Sequence, residues 1–188
     1  IAKTGDASAV FTNGTSFYSL YNPVSDAENF TTLCAKDEIC FFIIGGMGNA
    51  YHIKKLYERQ SSAFFLILED SYASLKTLFE QNNFSWFQKK DNIEFCTISD
   101  LEEHILALYN PALHGTLYVS SVRSWCTFHK QFSPLISKTI EQALAMVSAD
   151  YSVQTHFGKI WMRNIMRTIS YVEQNCNAFT SLQNISLP

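Results

Sequence analysis

The hydrophobic residues between positions 38 and 122 alternate between two patterns. Continuous apolar runs of strand length predict strands that are buried on both faces, as in parallel sheets. Segments with apolar residues three or four positions apart predict helices between these strands. This alternation predicts an α/β, Rossmann-like, mainly parallel sheet with flanking helices, because parallel neighbours require crossover connections. The predicted strands are 38–44, which we place in the centre, 63–68 beside it, 92–97 and 115–122, and the predicted helices are 50–60, 71–81 and 101–109.

A β-hairpin and a helix are predicted before this alternation. Asn13 and Gly14 tolerate positive φ angles and lie between two β-prone arms within residues 9–19. Ser25 and Glu28 have the spacing of a capping box, which predicts a helix that extends to residue 35. Residues 1–36 are therefore expected to contain a hairpin and one helix.

Two helices are predicted after the alternation. Ser133 followed by proline marks the start of the first, since proline suits the first helical position. Apolar residues at helical spacing predict a second helix over 153–175, with Trp161 in the core. The resulting prediction is a single domain, 1–188, whose segments are a hairpin and helix (1–36), an α/β core (37–125), a C-terminal helical pair (126–176) and a linker to a downstream domain (177–188).

Composition narrows the possible partners. Hydrophobic residues make up 47% of the 188 positions, which is enough for a substantial core. The formal net charge of −3 does not favour a nucleic-acid-binding surface, and no apolar run approaches the roughly 20 residues that span a bilayer. Five cysteines without a CxxC pair indicate free thiols in a reducing compartment. We therefore expect a cytoplasmic protein with neither nucleic acid nor membrane as a partner.

A glycine-rich turn, residues 45–50, follows the first predicted strand. Its glycines would let a ligand approach the backbone, and the N-terminus of the next helix favours anions. Acidic residues at the end of the next strand accept hydrogen bonds from ribose hydroxyls in nucleotide-binding folds. The candidate ligand-binding residues are Gly46, Gly48, Asn49, His52, Glu69 and Asp70.

A structural interpretation of the same residues stays open. The glycines would then only form a tight turn, Glu69 or Asp70 would cap a helix, and His52 would be a packing residue. The sequence predicts neither a catalytic residue nor a metal site, and it leaves the cofactor unknown, because the motifs of hydrolases, zincins and P-loop proteins are absent. A basic stripe on the last predicted helix is either solvated or meets an acidic partner, and it consists of Lys159, Arg163 and Arg167.

Four segments, in order along the chain, resemble motifs of the motility-associated factor (Maf) proteins. Residues 18–23, followed by 26–28, resemble the family's HSxYDPxxEA segment. Residues 44–52 are similar to its GxGxGYH turn, and 68–70 to its IEP strand end. Residues 155–164 resemble its T..F...W..N helix. The ordered set spans nearly the whole chain.

Maf proteins are bacterial glycosyltransferases implicated in flagellin glycosylation and motility, and they transfer nonulosonic acids from nucleotide-activated donors to Ser or Thr. The resemblance is to their N-terminal Rossmann-like domain. It implies an accessory domain that is not catalytic alone, with the downstream catalytic domain and flagellin as partners. Two alternatives remain: an S-adenosylmethionine-dependent methyltransferase or other nucleotide-binding enzyme on the same framework, and a pure interaction module.

Overall fold

The structure, a computed structural model, describes residues 1–36, 38, 40–88 and 90–174. The chain divides into two compact units, Ile1–Val147 and Ser148–Pro188. The first unit contains the sheet, and the long helix Ser133–Gln174 begins in the first unit and continues into the second. The predicted linker, 177–188, lies outside the described residues.

The first unit confirms the predicted α/β sheet. Its strands, all parallel, run in the order β3-β2-β1-β4. The strands are β1 (Cys40–Gly45), β2 (Phe64–Glu69), β3 (Ile93–Thr97) and β4 (Thr116–Ser121). The helices are α1 (Pro23–Cys34), α2 (Tyr51–Arg59), α3 (Tyr72–Gln81), α4 (Leu101–Leu108), α5 (Pro111–His114), α6 (Arg123–Phe128) and α7 (Ser133–Gln174), with short 3₁₀ turns at Ser85–Phe87 and Lys130–Phe132.

Strand β1 lies inside the sheet, with a partner strand on each edge and a core against each face. Every one of its residues is buried, and it pairs with β2 on one side and β4 on the other. Phe41 and Ile43 face a core that includes Leu101 of α4, whereas Phe42 faces a second core with the apolar side of α2. The continuous apolar run therefore reflects burial on alternating sides of one strand.

The N-terminal predictions hold only in part. The hairpin is reduced to one antiparallel bridge between Val10 and Ser16, flanked by hydrogen bonds from the Phe11 N–H to the Thr15 carbonyl and from the Phe17 N–H to the Ala9 carbonyl. The capping-box prediction at Ser25 is wrong. The helix begins at Pro23, and the Oδ1 atom of Asn22 caps it by accepting the Ser25 N–H at 3.0 Å.

The predicted C-terminal helical pair is one continuous helix, Ser133–Gln174. No proline follows Pro134 within it, and a single interior glycine, Gly158, costs only about 1 kcal/mol. In the second unit, Trp161 is 49% exposed, so its prediction as a core residue is wrong. Among the described residues, every helix is too short or too polar to cross a bilayer.

Leu66→Ala and Leu33→Ala form a matched pair that tests the position of the core. Leu66 is fully buried in β2, so its truncation should lower the free energy of unfolding by about 2–5 kcal/mol. Leu33 on α1 is 80% exposed, and the same change there should alter it by about 0.5 kcal/mol or less. Urea titration of both variants measures the difference. Equal losses would contradict the arrangement of the sheet.

Candidate functional site

The glycine-rich turn connects β1 to α2 at the carboxyl end of the central strand. Gly46 and Gly48 have φ angles of +90° and +49°, in the region where residues with a Cβ are strained. A Cβ on Gly46 would lie 2.6 Å from Cγ of Trp125, and one on Gly48 would lie 2.6 Å from Cδ1 of Phe17. Two aromatic rings of the chain itself therefore occupy the space beside the backbone that a ligand would need.

Glu69 ends β2 and is directed toward this turn. Its side chain is only 4% exposed. Its Oε1 atom accepts the Met47 N–H at 2.5 Å, and its Oε2 atom accepts the indole Nε1–H of Trp125 at 2.9 Å. Both oxygens that were candidates for ribose hydroxyls therefore have donors from the protein.

The environment of Glu69 changes its acidity. Burial raises the pKa of Glu69 to about 7, because the charged form loses its hydration. The hydrogen bonds from Met47 and Trp125 act in the opposite direction, since they stabilise the carboxylate. Glu69 therefore titrates near neutrality in the folded chain.

Asn49 serves as a tether between segments that are distant in sequence. Its Oδ1 atom accepts the Ala9 N–H at 2.5 Å, and its Nδ2 atom donates to Oδ1 of Asn82 at 2.7 Å. Asn82 is the C-cap residue of α3. The amide of Asn49 thus joins the N-terminal segment to the end of a helix, with both of its polar atoms in use.

His52 lies in the first turn of α2 and is fully buried. Its Nδ1 atom shares a hydrogen bond with the Tyr18 hydroxyl at 2.6 Å, and its ring packs edge-on against Phe30. Burial lowers the pKa of His52 to about 3, and the backbone of Gly46 opposes this only in part. The ring is therefore neutral at physiological pH, and its observed contacts are those of a packing residue.

Two cavities open near the carboxyl ends of the strands. The first, about 800 Å³, is lined by His52 together with residues that follow β4, among them Arg123. It lies at the β1/β4 switch point, where open α/β sheets usually bind ligands. The second, about 420 Å³, is lined by Gly48, Glu69 and Asp70 together with Trp125 and His129.

The predicted site residues therefore do not converge on a single cavity. Gly48, Glu69 and Asp70 come together at the second cavity, while His52 lines the first. Gly46 and Asn49 line neither of these two cavities. The basic stripe of Lys159, Arg163 and Arg167 lies on exposed positions of α7 in the second unit.

Sequence reasoning missed the residues that fill and border the turn. Trp125 and His129 belong to the segment immediately after β4, and Phe17 belongs to the N-terminal segment. The position of Trp125 and His129 in the sequence could have predicted them, because residues directly after a parallel strand lie at the same edge of the sheet as the glycine-rich turn.

Comparison with known proteins adds a distant relative. No known family model matches the sequence. An uncharacterized protein from Treponema pallidum (strain Nichols) is 34% identical to the chain over 77 residues. The aligned segment covers 41% of this chain and 37% of the Treponema protein. Because that protein is described only as uncharacterized, the similarity assigns no activity.

Gly48→Ala tests whether the turn is closed by packing. Gly14 also has a positive φ, +81°, but nothing lies within 4 Å of the Cβ position, so Gly14→Ala measures backbone strain alone. We expect Gly48→Ala to lower the free energy of unfolding by about 1–3 kcal/mol more than Gly14→Ala, because the Phe17 ring must move. Denaturant titration measures both, and the excess should vanish in a Phe17→Ala background. Equal losses in the two single variants would contradict the packing.

Glu69→Gln tests the effect of the buried carboxyl group on stability. Because folding raises the pKa of Glu69 from its ordinary value of 4.5 to about 7, protonation of this carboxyl group favours the folded state. The stabilisation that the protonated Glu69 gives to the folded state is present at low pH and is lost as pH rises from about 4.5 to 7. The variant should therefore gain stability relative to the parent over this window, by up to about 3 kcal/mol.

Urea titrations between pH 4 and 8 measure the difference between variant and parent. Glu94→Gln, at an exposed position of β3, is the matched control and should show no such change with pH. A difference for Glu69→Gln that stays constant across this range would contradict the assignment.

Proposed function

We propose that this chain is a non-catalytic accessory domain of a Maf-type glycosyltransferase that acts in the bacterial cytoplasm on flagellin. The ordered motifs that resemble the family suggest the class of enzyme. The accessory role is supported chiefly by one observation: Phe17 and Trp125 fill the space beside the glycine-rich turn. In this proposal the turn has a structural function and the chemistry belongs to a downstream domain.

The groups around the turn do not suit transfer from a nucleotide donor. Such a reaction needs donors or cations that stabilise the departing phosphate and a base that activates the acceptor hydroxyl. The Met47 N–H, which could contact a phosphate, already donates to Glu69. His52 is buried and paired with Tyr18, so it is not placed to act as the base.

The alternative of a methyltransferase or another nucleotide-binding enzyme has one specific observation in its favour. Glu69 lies at the end of β2, beside the central strand, where such enzymes place an acidic residue. That function would require Trp125 to leave the Gly46 backbone and to release its hydrogen bond to Glu69. We therefore rank it second.

Transfer assays with a nucleotide-activated nonulosonic acid and flagellin test the proposal. Residues 1–188 alone should transfer no sugar, and a longer polypeptide with the downstream domain should restore transfer. Isothermal titration of residues 1–188 with cytidine monophosphate and S-adenosylmethionine should show no heat of binding.

A matched variant of the longer polypeptide provides the control. Glu69→Gln should leave its turnover number unchanged if the domain only supports catalysis. Turnover by residues 1–188 alone that is lost in Glu69→Gln would contradict the accessory role. Saturable binding of S-adenosylmethionine would favour the second candidate instead.

A further inference from the structure

Helix α7 has an uncovered apolar surface along its second half. Between Tyr151 and Val172, every large apolar side chain is at least 40% exposed. Single apolar residues are common on protein surfaces, whereas a continuous apolar patch larger than about 600 Å² marks a site of interaction. This half of α7 is therefore a candidate for contact with another molecule.

One stripe on this surface has the spacing of a coiled-coil seam. Its positions follow one another at alternating intervals of four and three residues, which is the heptad pattern of helices that wrap around each other. None of these positions carries a charge. We call this stripe the α7 seam, and it consists of Tyr151, Thr155, Gly158, Met162, Ile165, Ile169 and Val172.

Gly158 supports the same interpretation independently. A glycine in the interior of a helix is destabilising relative to alanine. Apart from the backbone of its own helix turn, no atom of the described residues lies within 4 Å of its Cβ position, so the packing of the described chain does not require a glycine there. A second helix that approaches the backbone closely would require one.

The area of the seam suits a specific interface. Trp161 and Met166 flank the five large apolar side chains of the seam, and all of these side chains are about half exposed. At about 200 Å² for each side chain, together they present roughly 700 Å². This area is close to the roughly 800 Å² that each partner buries in a specific protein–protein interface.

The charges of this helix favour an identical partner. Lys159, Arg163 and Arg167 lie about 100–180° around the helix axis from the centre of the seam, since each residue advances by about 100°. Two copies that pair through the seam therefore keep these like charges on their outer sides. An anionic membrane or an acidic protein would meet either the seam or the three cations, because the two surfaces point in different directions.

We propose that the α7 seam binds a second copy of this chain, so that two α7 helices form a coiled coil in a symmetric homodimer. The side chains of Met162, Ile165 and Ile169 pack against the seam of the second copy, and Gly158 lets the two backbones approach each other. This interface does not depend on the proposed glycosyltransferase role.

Two isoleucine variants of the same helix test the interface. In analytical ultracentrifugation, residues 1–188 should sediment as a dimer at about 50 µM, which requires a Kd of about 10 µM or tighter. Ile165→Glu places a charge in the seam and should weaken the dimer at least about 100-fold, because the charge would be buried without a partner. Ile160 is also exposed but lies about 140° around the helix from Ile165, so Ile160→Glu should leave the dimer unchanged.

Circular dichroism verifies that both variants keep their helix content, which we expect because both side chains are exposed in the single chain. A monomer for residues 1–188 at about 200 µM, or equal effects of the two variants on the dimer, would overturn the proposal. If such a monomer sediments with phosphatidylglycerol vesicles, the partner of this surface is a lipid membrane instead.

Discussion

A buried carboxylate joins the ends of three adjacent strands. Glu69, at the end of β2, accepts one hydrogen bond from Met47, after β1, and another from Trp125, after β4. Because the strand order is β2-β1-β4 across this region, one side chain ties the loops on either side of the central strand. The indole held in this way lies against Gly45 and Gly46, which explains why neither position has room for a Cβ.

This arrangement has an electrostatic consequence that extends beyond Glu69. Glu69 uses donors that an anionic ligand would otherwise meet at the turn, and its ionised form adds negative charge there. His52, on the other side of the turn, is neutral and bound to Tyr18, so no imidazolium balances that charge. The two donors that Glu69 engages are thus not free to bind a phosphate, although the topology of the sheet is that of nucleotide-binding folds.

The sheet could be predicted because burial on both faces leaves a continuous apolar run, as in residues 41–44, that local sequence reveals directly. Helix boundaries were harder, since Asn22 and Ser25 are both good caps and the choice depends on Pro23 fitting the first helical position. The roles of the residues in the candidate site depend on contacts between residues that are distant in sequence. The sequence predicted Glu69 at a strand end. No neighbouring residue indicates that the indole of Trp125, 56 residues later, would donate a hydrogen bond to its Oε2 atom.

The same contacts explain why this turn needs glycine residues even without a ligand. A Gly-rich sequence after a parallel strand is needed wherever something approaches the backbone closely, whether that is a phosphate or a ring. Here the ring of Trp125 is the group that approaches the backbone closely, and the hydrogen bond from its indole to Glu69 fixes the position of the ring. The ring also forms part of the wall beside His129, so the residue that closes the usual ligand position helps to shape a different cavity. The motif therefore indicates close packing at the turn.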